Sequence, residues 1–119
     1  MTTQAALVFA EPSGVIRSWN PAAEALFGHS AATAIGQTLD LIVPPDYRER
    51  HWAGFRAAMA SGDGKIDRAS ANIPVLHRDG TILRVAVRLL VVHDGRDRAV
   101  GAMAIFCADD EAAPPLPRL

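Results

Sequence analysis

The sequence has little cysteine, few aromatic residues and no excess of charge of either sign. Its single cysteine, Cys107, excludes an internal disulfide and any metal site built from several cysteines, and it fits a reducing compartment. The 12 basic and 13 acidic residues nearly balance and form no basic run, so no nucleic-acid surface is indicated. The N-terminus lacks the basic start of a signal peptide, and the apolar runs are too short for a membrane span. These absences predict a soluble cytoplasmic protein that binds neither nucleic acid nor membrane.

The length of the chain bounds its organisation. A chain of 119 residues can bury one hydrophobic core but not two. We expect residues 1–4 to be a short N-terminal extension and residues 5–108 to be one folded domain. The acidic and Pro-rich composition of residues 109–119 predicts a disordered tail.

The first half of the chain mixes short strands with helical segments. We predict strands at 5–10 and 15–19 and helices at 22–27, 31–35 and 46–60, the last capped by Asp46. Asn20 followed by Pro21 favours a helix start, because the Asn side chain accepts from free amides and Pro loses nothing at the first position. Gly28 favours the end of that helix.

The second half changes period and predicts long strands. They are expected at 66–76, 81–92 and 99–107, with turns at 77–80 and 93–97. This order predicts an α+β domain, in which a five-stranded antiparallel sheet carries short helices packed on one face. The space between the helices and the sheet is the natural ligand site.

One histidine lies within the longest predicted helix. Apolar and aromatic residues recur there at helical spacing, and the histidine is among them: Tyr47, His51, Phe55, Ala58 and Met59. The charged residues Arg48, Glu49 and Arg56 are predicted to point elsewhere. A histidine that faces a core needs a partner for its nitrogens. Two interpretations stay open on the helix pattern alone, namely a core histidine bonded to a carbonyl and a metal ligand.

Short motifs mark the joints between the predicted elements. They are Gly14-Val15-Ile16, Asn20-Pro21-Ala22-Ala23-Glu24-Ala25-Leu26-Phe27-Gly28, Ile35-Gly36-Gln37, Leu41-Ile42-Val43-Pro44 and Arg78-Asp79-Gly80. Together they resemble the PAS sensor domain over about residues 5 to 108. The resemblance implies the PAS fold and a role in signal transduction.

The segment from Gly36 to His51 most resembles the haem-binding PAS subgroup, which includes the FixL-type oxygen-sensor kinases and the direct oxygen sensor phosphodiesterases. In that subgroup a helix histidine just after a Pro-Asp-x-Arg stretch is the proximal haem ligand, and His51 occupies its place. The spacing from His51 to Gly80 also matches. The resemblance therefore implies haem b, with iron held by His51, and a diatomic gas (O2, CO or NO) or the redox state as the signal.

A porphyrin needs a large apolar slot. The predicted lining is Ile42, Phe55, Ala69, Ala71, Ile73, Val85, Val87, Leu89 and Met103. The same residues are equally expected as ordinary core, although two small alanines on one strand leave room. By spacing, Ala71 and Ala69 replace the distal arginine and methionine of the oxygen sensors. The resemblance thus predicts an apolar distal pocket that suits CO or NO better than O2.

Other chemistry finds little support. The reactive-cysteine helix motif of flavin photosensors is absent, and so are a phosphate loop, paired catalytic carboxylates and a nucleophile elbow, so no enzyme is predicted. His29, His77 and His93 fall in turns, where surface histidine is the default.

Two further functions stay open beside haem sensing. A haem-free PAS module would bind a small metabolite or mediate protein–protein dimerisation, and a structural interaction domain would work through its sheet surface. We expect a homodimer that pairs through outward sheet positions such as Ala86, Leu90 and Ala104. Because the chain ends soon after the last strand, we expect it to signal in trans to an unknown downstream protein.

Overall fold

The computed structural model describes residues 5–61, 67–96 and 98–107, and of residues 61 and 67–71 it describes the backbone alone. The elements are β1 (Ala6–Ala10), β2 (Ile16–Trp19), α1 (Pro21–Phe27), α2 (Ala31–Ala34), two 3-10 helices (Leu39–Leu41 and Pro45–Tyr47), α3 (Arg48–Ser61), β3 (Asp67–Leu76), β4 (Ile82–His93) and β5 (Ala99–Cys107). The predicted strands and helices are confirmed, with ends that move by a residue or two. The predictions for residues 1–4 and 109–119 lie outside the described residues.

The five strands form one antiparallel sheet in the order β2-β1-β5-β4-β3. β5 therefore lies in the centre and joins the N-terminal hairpin to the long C-terminal hairpin. This confirms the predicted α+β architecture and the five-stranded sheet.

Asn20 begins α1 and also ties it to the first strand. Its side-chain oxygen accepts from the amides of Ala23 and Leu7, both at 2.9 Å, and its Nδ2 donates to the carbonyl of Ala5 at 3.0 Å. Gly28 ends the helix at φ 85°, a value that favours glycine, and its amide returns to the carbonyl of Glu24. The Asn-Pro and Gly signals in the sequence thus have the structural role predicted for them.

The core lies between the helices and one face of the sheet. Residues directly opposite each other in an antiparallel pair share a face, and most of the buried strand residues lie on one face: Ala6, Val8, Ala10, Ile16, Trp19, Val75, Val85, Val87 and Phe106. Phe27 of α1 is fully buried and meets Phe106 edge-on, with ring centroids 5.1 Å apart. The helix side of the sheet is therefore also the core side.

A bulge interrupts β3. Val85 pairs with Ile73 but Val87 pairs with Ser70, so two residues of β3 oppose one of β4. Asn72 lies within the bulge at φ 59°, and its carbonyl accepts from Nη1 of Arg84 at 3.0 Å. The predicted lining by Ala69, Ala71 and Ile73 assumed that side chains alternate along β3, and the bulge breaks that alternation.

α3 does not begin at the predicted cap. Asp46 lies inside the 3-10 helix Pro45–Tyr47, and that turn runs directly into α3 at Arg48. The prediction that Asp46 caps the helix is wrong, because the chain enters α3 already helical.

Candidate ligand site at His51

The inner side of α3 matches the spacing predicted for it. Its half-buried residues are Tyr47, His51, Phe55, Ala58 and Met59, as expected, together with Arg48 and Trp52. Glu49 and Arg56 are exposed, also as expected. None of residues 48–60 is fully buried, whereas the facing sheet core is. The helix therefore packs on the sheet core through Trp52 and Phe55, while its inner side stays partly accessible to solvent and to a ligand.

The His51 ring is half-buried between two aromatic rings. It meets Trp52 edge-on, with centroids 4.8 Å apart, and stacks on Phe55 at 6.0 Å. Its Nδ1 is buried and has no hydrogen-bond partner among the residues that the structure describes. The interpretation as a core histidine bonded to a carbonyl is therefore not met at this nitrogen.

Burial also fixes the charge state of this ring. Desolvation lowers the pKa of His51 below 6.5, and the opposing field of the Asp40 carboxylate is the smaller effect. The imidazole is thus neutral at neutral pH. A neutral ring with an unpartnered buried nitrogen is able to bind a metal, a water molecule or a polar ligand group.

Arg48 lies at the start of α3 and points inward, contrary to prediction. Its Nε donates to the carbonyl of Val43 at 3.0 Å, and its Nη2 donates to the carbonyl of Asp40 at 3.2 Å. The prediction failed because the charge of the arginine was read as a solvent-facing signal. The spacing from Arg48 to Trp52 and Phe55 places all three on one side of the helix.

Trp52 is a site residue that the sequence pattern did not single out. Its indole Nε1 donates to Oδ1 of Asp40 at 2.7 Å. The far edge of its ring fills the space beside Gly14, where a Cβ atom would overlap Cη2 and Cζ3 of the indole. Trp52 therefore contacts the β1–β2 turn, the 3-10 segment and His51 at once.

Most of the predicted pocket residues lie on the helix side of the sheet. Ile42, Val85 and Val87 are buried, while Ile73 and Phe55 pack against the core and stay partly accessible. Leu89 pairs with Ala104 on the same face but is 39% exposed. An exposed leucine on this face shows that the apolar surface continues past the closed core.

Two predicted orientations are wrong. Met103 pairs with Phe9 and Leu90, so it lies on the outer face and away from His51. Ala104, predicted to face outward, pairs with the buried Val8 and packs against the core. A shift of one residue in the assumed phase of β5 exchanges the two faces.

The two alanines of β3 are described by their backbone alone. The backbone register pairs Ala69 with Arg88 and the next residue, Ser70, with Val87. The side chains of Ala69 and Ala71 lie outside the described residues, so their predicted place in the pocket stays a prediction.

The other histidines are half-buried and not the surface residues that the sequence predicted. His77 lies over Gly28, and its Nδ1 accepts from the amide of Asp79 at 3.1 Å. His93 has a buried Nε2 without a partner in the described part of the chain. Within 5–61, 67–96 and 98–107, no group of three His, Cys, Asp or Glu side chains could hold a metal ion.

Comparison with known families identifies a fold with this order of strands and helices. The family model described as the PAS fold matches residues 2–106. The chain belongs to the PAS family. PAS domains are sensory and regulatory modules, so the predicted fold and sensor class are confirmed.

Three curated relatives share part of this PAS domain. An uncharacterized protein of Azorhizobium caulinodans is 36% identical over 78 residues, which is 65% of this chain and 11% of the relative. Sensor protein FixL of Bradyrhizobium diazoefficiens is 32% identical over 76 residues, which is 64% of this chain and 15% of the relative. Oxygen sensor protein DosP of Escherichia coli is 30% identical over 63 residues, which is 53% of this chain and 8% of the relative. The matches thus span at most 15% of the length of these relatives.

Solved structures agree on the fold. The PAS domain of a Colwellia psychrerythraea protein superposes with a TM-score of 0.74 at 27% identity, covering 87% of this chain and 84% of that one. A Rhodobacter sphaeroides LOV protein reaches 0.70 at 13% identity, covering 91% and 61%, and at that identity it shows the fold alone. No helix of the described residues is long and apolar enough to cross a membrane.

Proposed function

We propose that this PAS domain binds haem b through His51 and senses a diatomic gas, O2, CO or NO, or the redox state. The observation that carries the proposal is the neutral, half-buried imidazole of His51, whose Nδ1 is buried without a described partner. It lies on the side of α3 that faces the sheet.

The residues present fit this cofactor. A neutral imidazole is a good iron ligand, and the ring nitrogen that does not bind iron needs a carbonyl or a water to orient it. A haem iron asks for few protein ligands because the porphyrin supplies four nitrogens, and when bound it supplies a site for a gas molecule. Phe55, Val87 and Leu89 would offer apolar surface to the macrocycle and exclude water from it.

The relatives support the same choice. Two of the three curated relatives are named as sensors, and one of them as an oxygen sensor. The segment 36–51 carries the resemblance to the haem-binding subgroup, and it contains both Arg48 and His51.

A second candidate function is favoured by the outer face of the sheet. The partly accessible apolar residues on it are Leu7, Phe9, Ala86, Leu90, Met103 and Ile105. Arg88 lies among them, opposite Ile105, and a mainly apolar face of this kind favours pairing with a second copy of the chain. This homodimer is compatible with haem sensing, and it is also how a haem-free module would act.

Haem titration of the purified chain tests the main proposal. We expect a Soret band that saturates at one haem per chain, and loss or shift of that band in His51→Ala. His29→Ala is the matched control, because it removes another half-buried histidine from outside α3. A spectrum and affinity unchanged in His51→Ala would remove His51 from the role. If the wild-type chain takes up no haem, the proposal is refuted and the alternative of a haem-free module is supported.

A further inference from the structure

The carboxylate of Asp40 lies where the 3-10 helix Leu39–Leu41 meets α3. Its Oδ1 accepts from Nε1 of Trp52 at 2.7 Å and lies 3.7 Å from Nε of Arg48. Arg48 in turn donates to the carbonyls of Val43 and Asp40. One acidic side chain thus holds two residues of α3, four positions apart.

Trp52 is held on more than one side. Besides its bond to Asp40, its ring fills the space beside Gly14, and it meets His51 and Phe55 edge-on at 4.8 and 5.5 Å. The His51 ring is therefore bounded by Trp52 on one side and by Phe55 on another. A displacement of the indole would change the surroundings of the imidazole directly.

The helical geometry makes these contacts relevant to the ligand site. Successive residues of an α-helix are separated by 100° around its axis, since a turn takes 3.6 residues. Arg48 and Trp52 share one side of α3, and His51 lies one residue before Trp52. A helix anchored at both of these positions is hindered from rolling, which sets the direction in which the His51 side chain leaves the helix.

We propose that Asp40 and Trp52 are positioning residues for His51, which set the roll of α3 and the place of the imidazole. This inference rests on the proposed function for the ligand that His51 receives. The geometry it describes, however, exists without ligand and can be tested in the ligand-free chain.

Two variants separate the two halves of the pair. Asp40→Asn removes the charge while keeping an oxygen and the indole, and Trp52→Phe removes the N–H donor and the far ring. Glu49→Gln removes an exposed carboxylate of the same helix and is the matched control. Ser30→Ala removes the side-chain cap of α2 and controls for a general loss of stability.

The first measurement is NMR of the ligand-free full chain, with the histidine rings labelled. In Asp40→Asn we expect the ring signals of His51 to shift, because a neutral amide oxygen holds the indole N–H less strongly than the carboxylate, and a shifted indole changes its ring current at the imidazole. Glu49→Gln should leave these signals in place. The indole N–H signal of Trp52 should move as its acceptor loses charge. His51 signals unchanged in Asp40→Asn would overturn the inference.

The second measurement is the haem dissociation constant. We expect it to rise about tenfold in Asp40→Asn and Trp52→Phe, the lower end of what groups that orient a ligating histidine contribute. It should stay at the wild-type value in Glu49→Gln and Ser30→Ala. An equal loss of affinity in Ser30→Ala would overturn the positioning role, since lost stability alone would then account for the effect. Failure of the wild type to bind haem would refute the proposed function, while the NMR result would still decide the inference.

Discussion

Replacing Gly14 by alanine should destabilise the protein chiefly through Trp52. Gly14 lies at φ 90°, and its new Cβ would overlap the far edge of the indole. The ring could give way only by leaving Asp40, to which its Nε1 is bound at 2.7 Å. Backbone conformation and side-chain overlap are therefore two separate costs of this substitution.

The magnitudes of the two costs follow from their causes. An alanine held at positive φ costs about 1–3 kcal/mol, and an overpacked contact costs typically about 1–3 kcal/mol more. In a Trp52→Phe background the far ring is gone, so only the backbone cost should remain. Gly14→Ala should then destabilise the wild type by about 1–3 kcal/mol more than it destabilises Trp52→Phe, and this difference is the coupling energy.

Urea unfolding followed by circular dichroism measures the four proteins of this double-mutant cycle, namely the wild type, Gly14→Ala, Trp52→Phe and the double variant. A coupling of about 2 kcal/mol corresponds to roughly 1 M in the urea midpoint, for slopes of about 1–3 kcal/mol per M. Equal destabilisation in both backgrounds would refute the reasoning, because Trp52 would then not fill the space beside Gly14.

Three more predictions concern pH, the distal side and assembly. Because burial lowers the pKa of His51, the unfolded chain binds a proton near pH 6.5 that the folded chain does not bind. The free energy of unfolding should therefore fall as the pH drops from 6.5 to that lowered pKa. The urea midpoint of His51→Gln should fall less over the same range. If Ala69 and Ala71 face a bound haem, its ferrous form should be five-coordinate, bind CO readily and hold O2 poorly with fast autoxidation; resonance Raman showing a six-coordinate low-spin ferrous resting state would contradict this. Light scattering should give twice the 12.7 kDa mass of one chain, falling to one chain in Leu90→Glu, whereas a wild-type mass of 12.7 kDa would rule out the homodimer.

Sequence patterns predicted the elements well because local chemistry decides where they begin and end. Asn20 and Gly28 bracket α1 through bonds made within a few residues. The turn at 77–80 closes through Gly80, at φ 92°, whose amide donates to the carbonyl of His77. In each case the deciding interaction spans only a few positions, so the sequence contains the information.

The faces of the central strand were less predictable, for a physical reason. β5 reads AVGAMAIFC, and nearly every residue in it is apolar, so no alternation marks its inner side. Its faces follow only from the pairing with β1 and β4, and these contacts are distant in sequence. Met103 and Ala104 were assigned to the wrong faces for this reason. The bulge at Asn72 likewise depends on the partner strand.

The candidate site was predictable in one respect and not in another. Helical spacing alone places His51 and Phe55 on the inner side of α3, and the structure confirms both positions. The roles of Arg48 and Trp52 depend on where the segment around Asp40 lies relative to α3, and residue spacing along the helix does not predict that position. The charge of Arg48 had predicted a side chain that points to solvent. In the structure its guanidinium donors instead bond to backbone carbonyls on the inner side.

The difference in burial between α3 and the sheet bears on how such a domain could signal. The sheet core is closed, whereas the inner side of α3 is half-accessible throughout residues 48–60. Elements with few fully buried residues open at lower free energy than the global unfolding of a domain. A ligand that binds only the closed arrangement stabilises it in proportion to the logarithm of its concentration over its dissociation constant. Binding at His51 would therefore act mainly on α3, and Trp52 would carry the change to the β1–β2 turn without rearranging the closed core.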